Sequence, residues 1–202
     1  MSPKQMAGDA LSFLKYAALK TRHSLGSPGG VPELDPGKVR TLMVFTLSGI
    51  GNTIMFTPTL VNLRKAFPGA KLICVVGPRS SDEVVKGSPY ADEVIVQPMF
   101  RRLGEYPDYI RFMERLKAYR PDLTGHNFLS VGPYNAMMAY QTGARWRVGH
   151  VYGADDPHWK RYFVGFEDLF TTKVPVVENR HEVELNLDLV RAMGLKARRA
   201  PQ

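Results

Sequence analysis

Residues 41–46 run Thr-Leu-Met-Val-Phe-Thr, and residues 71–76 run Lys-Leu-Ile-Cys-Val-Val. Continuous apolar runs of this length, closed by glycine-rich turns, predict strands buried on both faces, as in a parallel sheet. Val94-Ile95-Val96 predicts a short third strand, 123–129 a weak fourth spoiled by Gly125, and 145–149 a fifth. Between them the period becomes helical. In 53–67, Leu60, Leu63 and Phe67 share one side. Thr57-Pro58 leaves two starts open for that helix: Thr57 caps it with Pro58 in the first turn, or it begins at Asn52 and bends at Pro58. Residues 81–86 predict a short helix capped by Ser80 or Ser81, with acids in its first turn. In 108–119, Ile110, Met113, Leu116 and Tyr119 recur every third position, and 134–140 is helical up to Gly143. The stretch 152–176 shows no regular pattern. Asn179 and Glu182 have capping-box spacing for a last helix, which carries Val183, Leu185, Leu187, Leu189 and Val190 and closes at Gly194.

Strand and helix alternate with short links, so the fold class is α/β: a doubly wound, Rossmann-like parallel sheet with right-handed crossovers. Such sheets bind ligands at the carboxyl ends of their strands. That rule selects three loops, 47–53, 77–81 and 126–134. Upstream, residues 9–24 have a basic amphipathic helical pattern, suited to packing on the domain or lying on an anionic membrane. Gly26 to Gly30, Pro32 and Pro36-Gly37 follow as linker. The expected division is 1–37 for the amino-terminal helix and linker, 38–178 for the Rossmann-like domain and 179–202 for the closing helix.

Hydrophobic residues make up 44% of the 202, which is the composition of a globular chain. The one cysteine, Cys74, lies inside a strand run, so no disulfide framework is available and a reducing compartment fits. The net charge of +8 favours anionic partners without choosing among them. No window is long and apolar enough to span a bilayer, and the start lacks a secretory cleavage pattern. These features point to the cytoplasm.

The first selected loop is Leu47-Ser48-Gly49-Ile50-Gly51-Asn52-Thr53. Two glycines allow a ligand close to the backbone, and the helix that follows aims free amides at it. A dinucleotide fingerprint would need a third glycine where Ile54 stands, and an acid after Val75-Val76-Gly77 that is lacking. An NAD-dependent oxidoreductase domain is therefore disfavoured. No Gly-Lys-Ser/Thr follows, so this is not a P-loop.

Several segments together resemble glycosyltransferase family nine, the lipopolysaccharide heptosyltransferases. They are Ser48-Gly49-Ile50-Gly51-Asn52, Thr57-Pro58-Thr59-Leu60, Ala66-Phe67-Pro68-Gly69-Ala70 and Pro89-Tyr90-Ala91-Asp92-Glu93-Val94-Ile95. Further on come Pro121-Asp122-Leu123, then Gly143-Ala144-Arg145-Trp146-Arg147-Val148-Gly149, then His181-Glu182-Val183-Glu184. They run in order over about 40–195. The resemblance implies the GT-B fold, two Rossmann-like domains across a cleft. It implies a lipid-linked or glycan acceptor held by the amino-terminal domain and a nucleotide-sugar donor held by the other. Only the first domain fits in this length, so the donor site and transferase activity are expected to be missing from the chain alone. A donor-domain partner chain is the implied complement. No cofactor and no metal are implied, nucleic acid is not an expected partner, and peripheral contact with the inner face of the bacterial inner membrane is.

The resemblance also implies a general base at position 52, where the family carries Asp and this chain carries Asn52. An amide cannot take a proton at neutral pH, although it can orient a hydroxyl or cap a helix. His126, near the fourth strand's end, is the candidate substitute base. Ser48, Gly49, Gly51, Thr53, Arg79 and Asn127 are the candidate acceptor-binding residues, with Tyr134 in the same cleft. Arg101 and Arg102 could meet acceptor phosphates. Asp155-Asp156-Pro157-His158 reads as a turn rather than a metal cluster. A non-catalytic module that holds a glycan or partner is the competing function.

Overall fold

The computed structural model describes residues 33–47, 49–78, 81–98, 106–128, 133–152 and 166–199. Six parallel strands form one sheet: β1 (Thr41–Thr46), β2 (Lys71–Val76), β3 (Glu93–Val96), β4 (Leu123–His126), β5 (Trp146–Val151) and β6 (Thr172–Pro175). Their order is β3-β2-β1-β4-β5-β6. All five neighbouring pairs are parallel. The helices are α1 (Ile50–Ala66), α2 (Ser81–Val85), α3 (Tyr106–Ala118), α4 (Pro133–Gln141) and α5 (Glu182–Ala192).

The period-two geometry of the strands sorts the core. Leu42 and Val44 of β1, with Leu72 and Cys74 of β2, pack against Phe56, Leu60 and Leu63 of α1 and Leu189 and Val190 of α5. Met43 and Phe45, with Ile73 and Val75, face the other way onto Phe112, Met113 and Leu116 of α3 and Met138 of α4. Both faces of the central strands are thus dry, which is why their sequences are continuously apolar. Cys74 is fully buried, and desolvation pushes its thiol up to about 12, so it is an inert core residue.

Two aspartates of the family-like segments are structural latches. The Asp122 carboxylate accepts from the Arg40 and Thr41 amides at 2.7 and 2.9 Å. That of Asp92 accepts from the Leu72 amide at 2.6 Å and pairs with Arg64 at 2.5 Å. Both lie where strands begin, at the edge opposite the ligand-binding end.

The structure corrects four sequence expectations. Helix α1 starts at Ile50 and runs through Pro58. Proline lacks the amide that would bond the Ile54 carbonyl, and the Thr57 hydroxyl donates to that carbonyl instead, at 2.8 Å. The last helix is capped by His181, whose Nδ1 accepts from the Val183 amide at 3.2 Å, and Asn179 stands outside it at φ 59°. Glu182 is therefore not half of a capping box. Gly125 does not weaken β4. A Cβ there would lie 2.8 Å from Leu189 Cδ2, so the bare backbone is what seats α5. Within 152–176, β6 was invisible to pattern reading because only Val174 of its four residues is buried. Lys173 and Pro175 suit its place at the sheet edge.

The closing glycines Gly143 and Gly194 both take positive φ, as expected of helix ends. No helix among the described residues is long and apolar enough to cross a membrane. The amphipathic stretch 9–24 and the linker residues 26–32 lie outside the described residues.

Candidate functional site

Strands β1 and β4 are neighbours, yet the chain leaves β1 for α1 on one face and β4 for α4 on the other. This is the topological switch point, where the two outgoing connections part and leave a crevice. Of the loop residues predicted from sequence, Gly49, Thr53 and Asn127 meet there.

Gly49 is the N-cap of α1, with extended backbone and no side chain to cap. Its carbonyl accepts from the Asn52 and Thr53 amides at 3.1 and 3.2 Å. The amides of Ile50 and Gly51 precede these and have no acceptor inside the helix. The first turn carries no acid, so the positive end of the helix is uncompensated by its own side chains.

A buried chain of hydrogen bonds fixes this turn to the sheet. Asn127 Nδ2 donates to Thr46 Oγ1 at 3.2 Å. Thr46 and Thr53 share a hydroxyl–hydroxyl bond at 3.1 Å, and Thr53 Oγ1 donates to the Gly49 carbonyl at 3.4 Å. Because Asn127 supplies a proton, the Thr46 hydroxyl is free to pass its own to Thr53. The polarity then runs one way, from β4 to the glycine turn. The Asn127 amide also bonds the Phe45 carbonyl at 2.9 Å. Asn186 of α5 completes the frame: its Oδ1 accepts from the Phe128 amide at 2.7 Å.

Thr53 and Asn127 are thus brought together, but as fully buried framework rather than as exposed contacts. Gly49 and Gly51 are exposed at the crevice. Asn52 is half-buried in the third position of the helix, and the reading of it as helix cap is corrected: Gly49 holds that place, so its amide side chain is not spent on capping. Tyr134 accepts from Gln97 Nε2 at 2.7 Å near the ends of β3 and α4. Ser48, Arg79, Arg101, Arg102, Asp155, Asp156 and His158 lie outside the described residues.

His126 does not suit the role of base. Its ring stacks on Phe45 at 4.5 Å and 5°, with Phe170 edge-on at 5.8 Å. It is 1% exposed. Desolvation, and secondarily the neighbouring His150, pull its pKa down to about 3. At neutral pH the ring is an uncharged, very weak base held in the core.

Thr46 and Asn186 escaped the sequence reading. Thr46 was absorbed into the apolar run of β1. Asn186 carried a legible signal, since the helical period of α5 places it among Val183, Leu185, Leu187 and Leu189, on a buried side where an amide needs partners.

Among the described residues, nothing requires glycine at position 49 or 51. A Cβ added at either meets none of the described residues within 4 Å, and neither takes a positive φ. Gly51→Ala is accordingly expected to raise stability by about 0.5–1 kcal/mol, as glycine-to-alanine changes within helices do. Urea denaturation of the two proteins measures this. A loss of stability would mean that the helix start is strained.

No family model and no curated protein matches the sequence closely. Solved structures do match. A glycosyl transferase family 9 protein from Veillonella parvula is 20% identical, at TM-score 0.64 over 83% of this chain and 44% of that one. The chain has the fold of family 9 glycosyltransferases. E. coli heptosyltransferase WaaC with ADP-2-deoxy-2-fluoro heptose is 16% identical, at TM-score 0.61 over 78% of this chain and 50% of that one. E. coli ADP-heptose lps heptosyltransferase II is 16% identical, at TM-score 0.55 over 74% and 39%. The chain spans half or less of the length of these family 9 relatives in fold.

Proposed function

We propose that the chain is the acceptor-side half of a glycosyltransferase of heptosyltransferase type. In this reading a sugar passes from a nucleotide-sugar donor, held on a separate donor-binding domain, to a lipopolysaccharide-core-like acceptor in the switch-point crevice. One observation carries the reading: in a family 9 fold, the exposed glycine turn at Gly49–Gly51 is locked to β4 by the Asn127–Thr46–Thr53 chain, beside the half-buried Asn52 amide. Peripheral attachment to the inner face of the membrane belongs to the same proposal.

Transfer requires removal of a proton from the attacking acceptor hydroxyl. Asn52 can donate to or accept from that hydroxyl and so orient it, but it cannot take the proton. His126 is unsuited for the reasons given above. Among the described residues, those at the crevice therefore bind and orient, and neither Asn52 nor His126 supplies the base. The competing reading, a non-catalytic glycan-binding module, draws on the same Asn52.

The test supplies a donor-binding domain, fused or in trans, with a nucleotide-activated heptose and a lipid A–core acceptor. Asn52→Asp is expected to raise the rate of nucleoside diphosphate release by a factor of about 100 or more, the usual scale of general-base catalysis. Equal rates for the parent and the Asn52→Asp variant would remove position 52 from the chemistry. Acceptor binding that leaves the amides of 49–53 and 127 unperturbed would sink the proposal altogether.

A further inference from the structure

A second polar pair stands at the carboxyl edge of the sheet, apart from the Asn127–Thr46–Thr53 chain. The period-two geometry of β3 sends Glu93, Ile95 and Gln97 to one face. Ile95 joins the core with Phe112 and Met113 of α3 there, and Glu93 accepts from the Tyr119 hydroxyl. Gln97 continues the ladder one residue past β3, its backbone amide donating to the Val76 carbonyl at 2.8 Å. Its side chain is therefore carried on paired backbone, and the residue is 7% exposed.

Tyr134 comes to meet it from the first turn of α4, the helix that leaves the switch point on that face. The half-buried ring packs on the same core cluster as Leu47, the residue after β1, and tilts against Tyr109 at 5.8 Å. Gln97 Nε2 donates to the phenol oxygen at 2.7 Å.

That one bond leaves hydrogen-bonding capacity over. A primary amide has two N–H donors and a carbonyl, and a phenol has its own proton to give. Because Gln97 donates, the phenol proton must go elsewhere, and among the described residues nothing accepts it. Nor does any described donor meet Gln97 Oε1. Burial pushes the Tyr134 phenol up to about 12, so it stays a neutral donor at ordinary pH. An amide as buried as Gln97, with its carbonyl unmet, is costly unless a further partner arrives. The pair also stands where sheets of this kind admit ligands.

The chemistry of the set selects the ligand. It offers a donor and an acceptor side by side and carries no charge. An anion brings acceptors only and would face the lone pairs of Oε1, whereas a hydroxyl accepts and donates at once. We propose that Gln97 and Tyr134 bind a hydroxyl group of the acceptor sugar, which accepts from the phenol and donates to Gln97 Oε1. The inference rests on the acceptor-side reading above. Strand β3 lies two strand spacings from β1, about 10 Å, so the hydroxyl held here is not the attacking one beside Asn52. The pair thus helps decide which glycan the crevice admits.

The test titrates the lipid A–core acceptor into the full chain and follows by NMR the Gln97 side-chain amide and the backbone amides of 49–53 and 127. Saturable shifts at both places are expected. Tyr134→Phe and Gln97→Leu should each weaken acceptor binding about tenfold, and the double variant by well under a hundredfold, because the two side chains act on one group. Urea denaturation of Tyr134→Phe, which keeps the ring, separates lost binding from lost fold. Inorganic phosphate should leave the Gln97 side-chain signal in place. Acceptor shifts at 49–53 and 127 with the Gln97 side chain unmoved would overturn this inference and spare the crevice. So would parental affinity in both variants, or a phosphate-induced shift of Gln97 that Tyr134→Phe abolishes. Shifts at Gln97 with none at 49–53 and 127 would keep the hydroxyl site and remove the crevice reading, and shifts at neither place would overturn both.

Discussion

Gly149→Ala is expected to destabilise the protein by about 3 kcal/mol, at the upper end of what overpacking a core costs. The distal end of the Phe170 ring abuts the bare backbone of β5. A Cβ at position 149 would stand 2.2 Å from Phe170 Cζ and 2.3 and 2.6 Å from its Cε1 and Cε2. No rotation of a ring that is 8% exposed clears three such contacts, so the phenyl must leave its seat or the strand must move. Chemical denaturation of Gly149→Ala, Phe170→Leu and the double variant measures the coupling. The double variant should be less destabilised than the two single effects added together. Strict additivity would show that glycine is needed at 149 for some reason other than Phe170.

The second large effect is an acid-dependent loss of stability that originates at His126. Its pKa is about 3 in the folded chain, against about 6.5 when unfolded. Between those values the unfolded chain takes a proton that the folded chain refuses. Stability is therefore fully present above about pH 6.5 and declines by about 1.4 kcal/mol for each unit of acidification below it, near 2.7 kcal/mol by pH 4.5. His150 is depressed by burial as well and adds to the loss in the same direction. Among the described residues neither nitrogen of His126 has a hydrogen-bond partner. A ring without buried nitrogens should then serve as well. His126→Phe is expected to match or exceed the parent in stability at pH 7.5 and to unfold at lower pH. Parallel acid titrations of the two would count against this account if their curves stayed parallel down to pH 4.

His126 also shows what the sequence could and could not disclose. Its place at the end of a parallel strand was legible, and for an exposed side chain that place implies function. That Phe45 and Phe170 enclose the ring was not legible, because one neighbour comes from β1 and the other from beyond β5. Glycines divided in the same way. The turn at 49–51 could be read locally, whereas Gly125 and Gly149 owe their identity to Leu189 and Phe170, far along the chain. The strands β1 and β2 were legible because burial on both faces leaves an uninterrupted apolar run. Strand β6 was not, because an edge strand packed through Val174 alone has almost no hydrophobic pattern. The start of α1 was misplaced because Asn52 and Thr57 are both good caps by chemistry, while Gly49 caps through backbone geometry alone. At the crevice, the residue types came through. Their division into exposed glycines and buried framework needed the register of β1 against β4.

That register has a consequence for how the chain is made. Leu42 pairs with Leu72 on one flank and with Leu123 on the other. As synthesis proceeds, the central strand emerges first and finds one partner soon, while its second arrives only after some eighty further residues. At about 5–20 residues per second, that flank stays uncovered for several seconds. Over that interval the nascent polypeptide presents Leu42, Val44 and Phe45 along an open strand margin, the kind of surface that chaperones engage and that seeds aggregation when none is at hand.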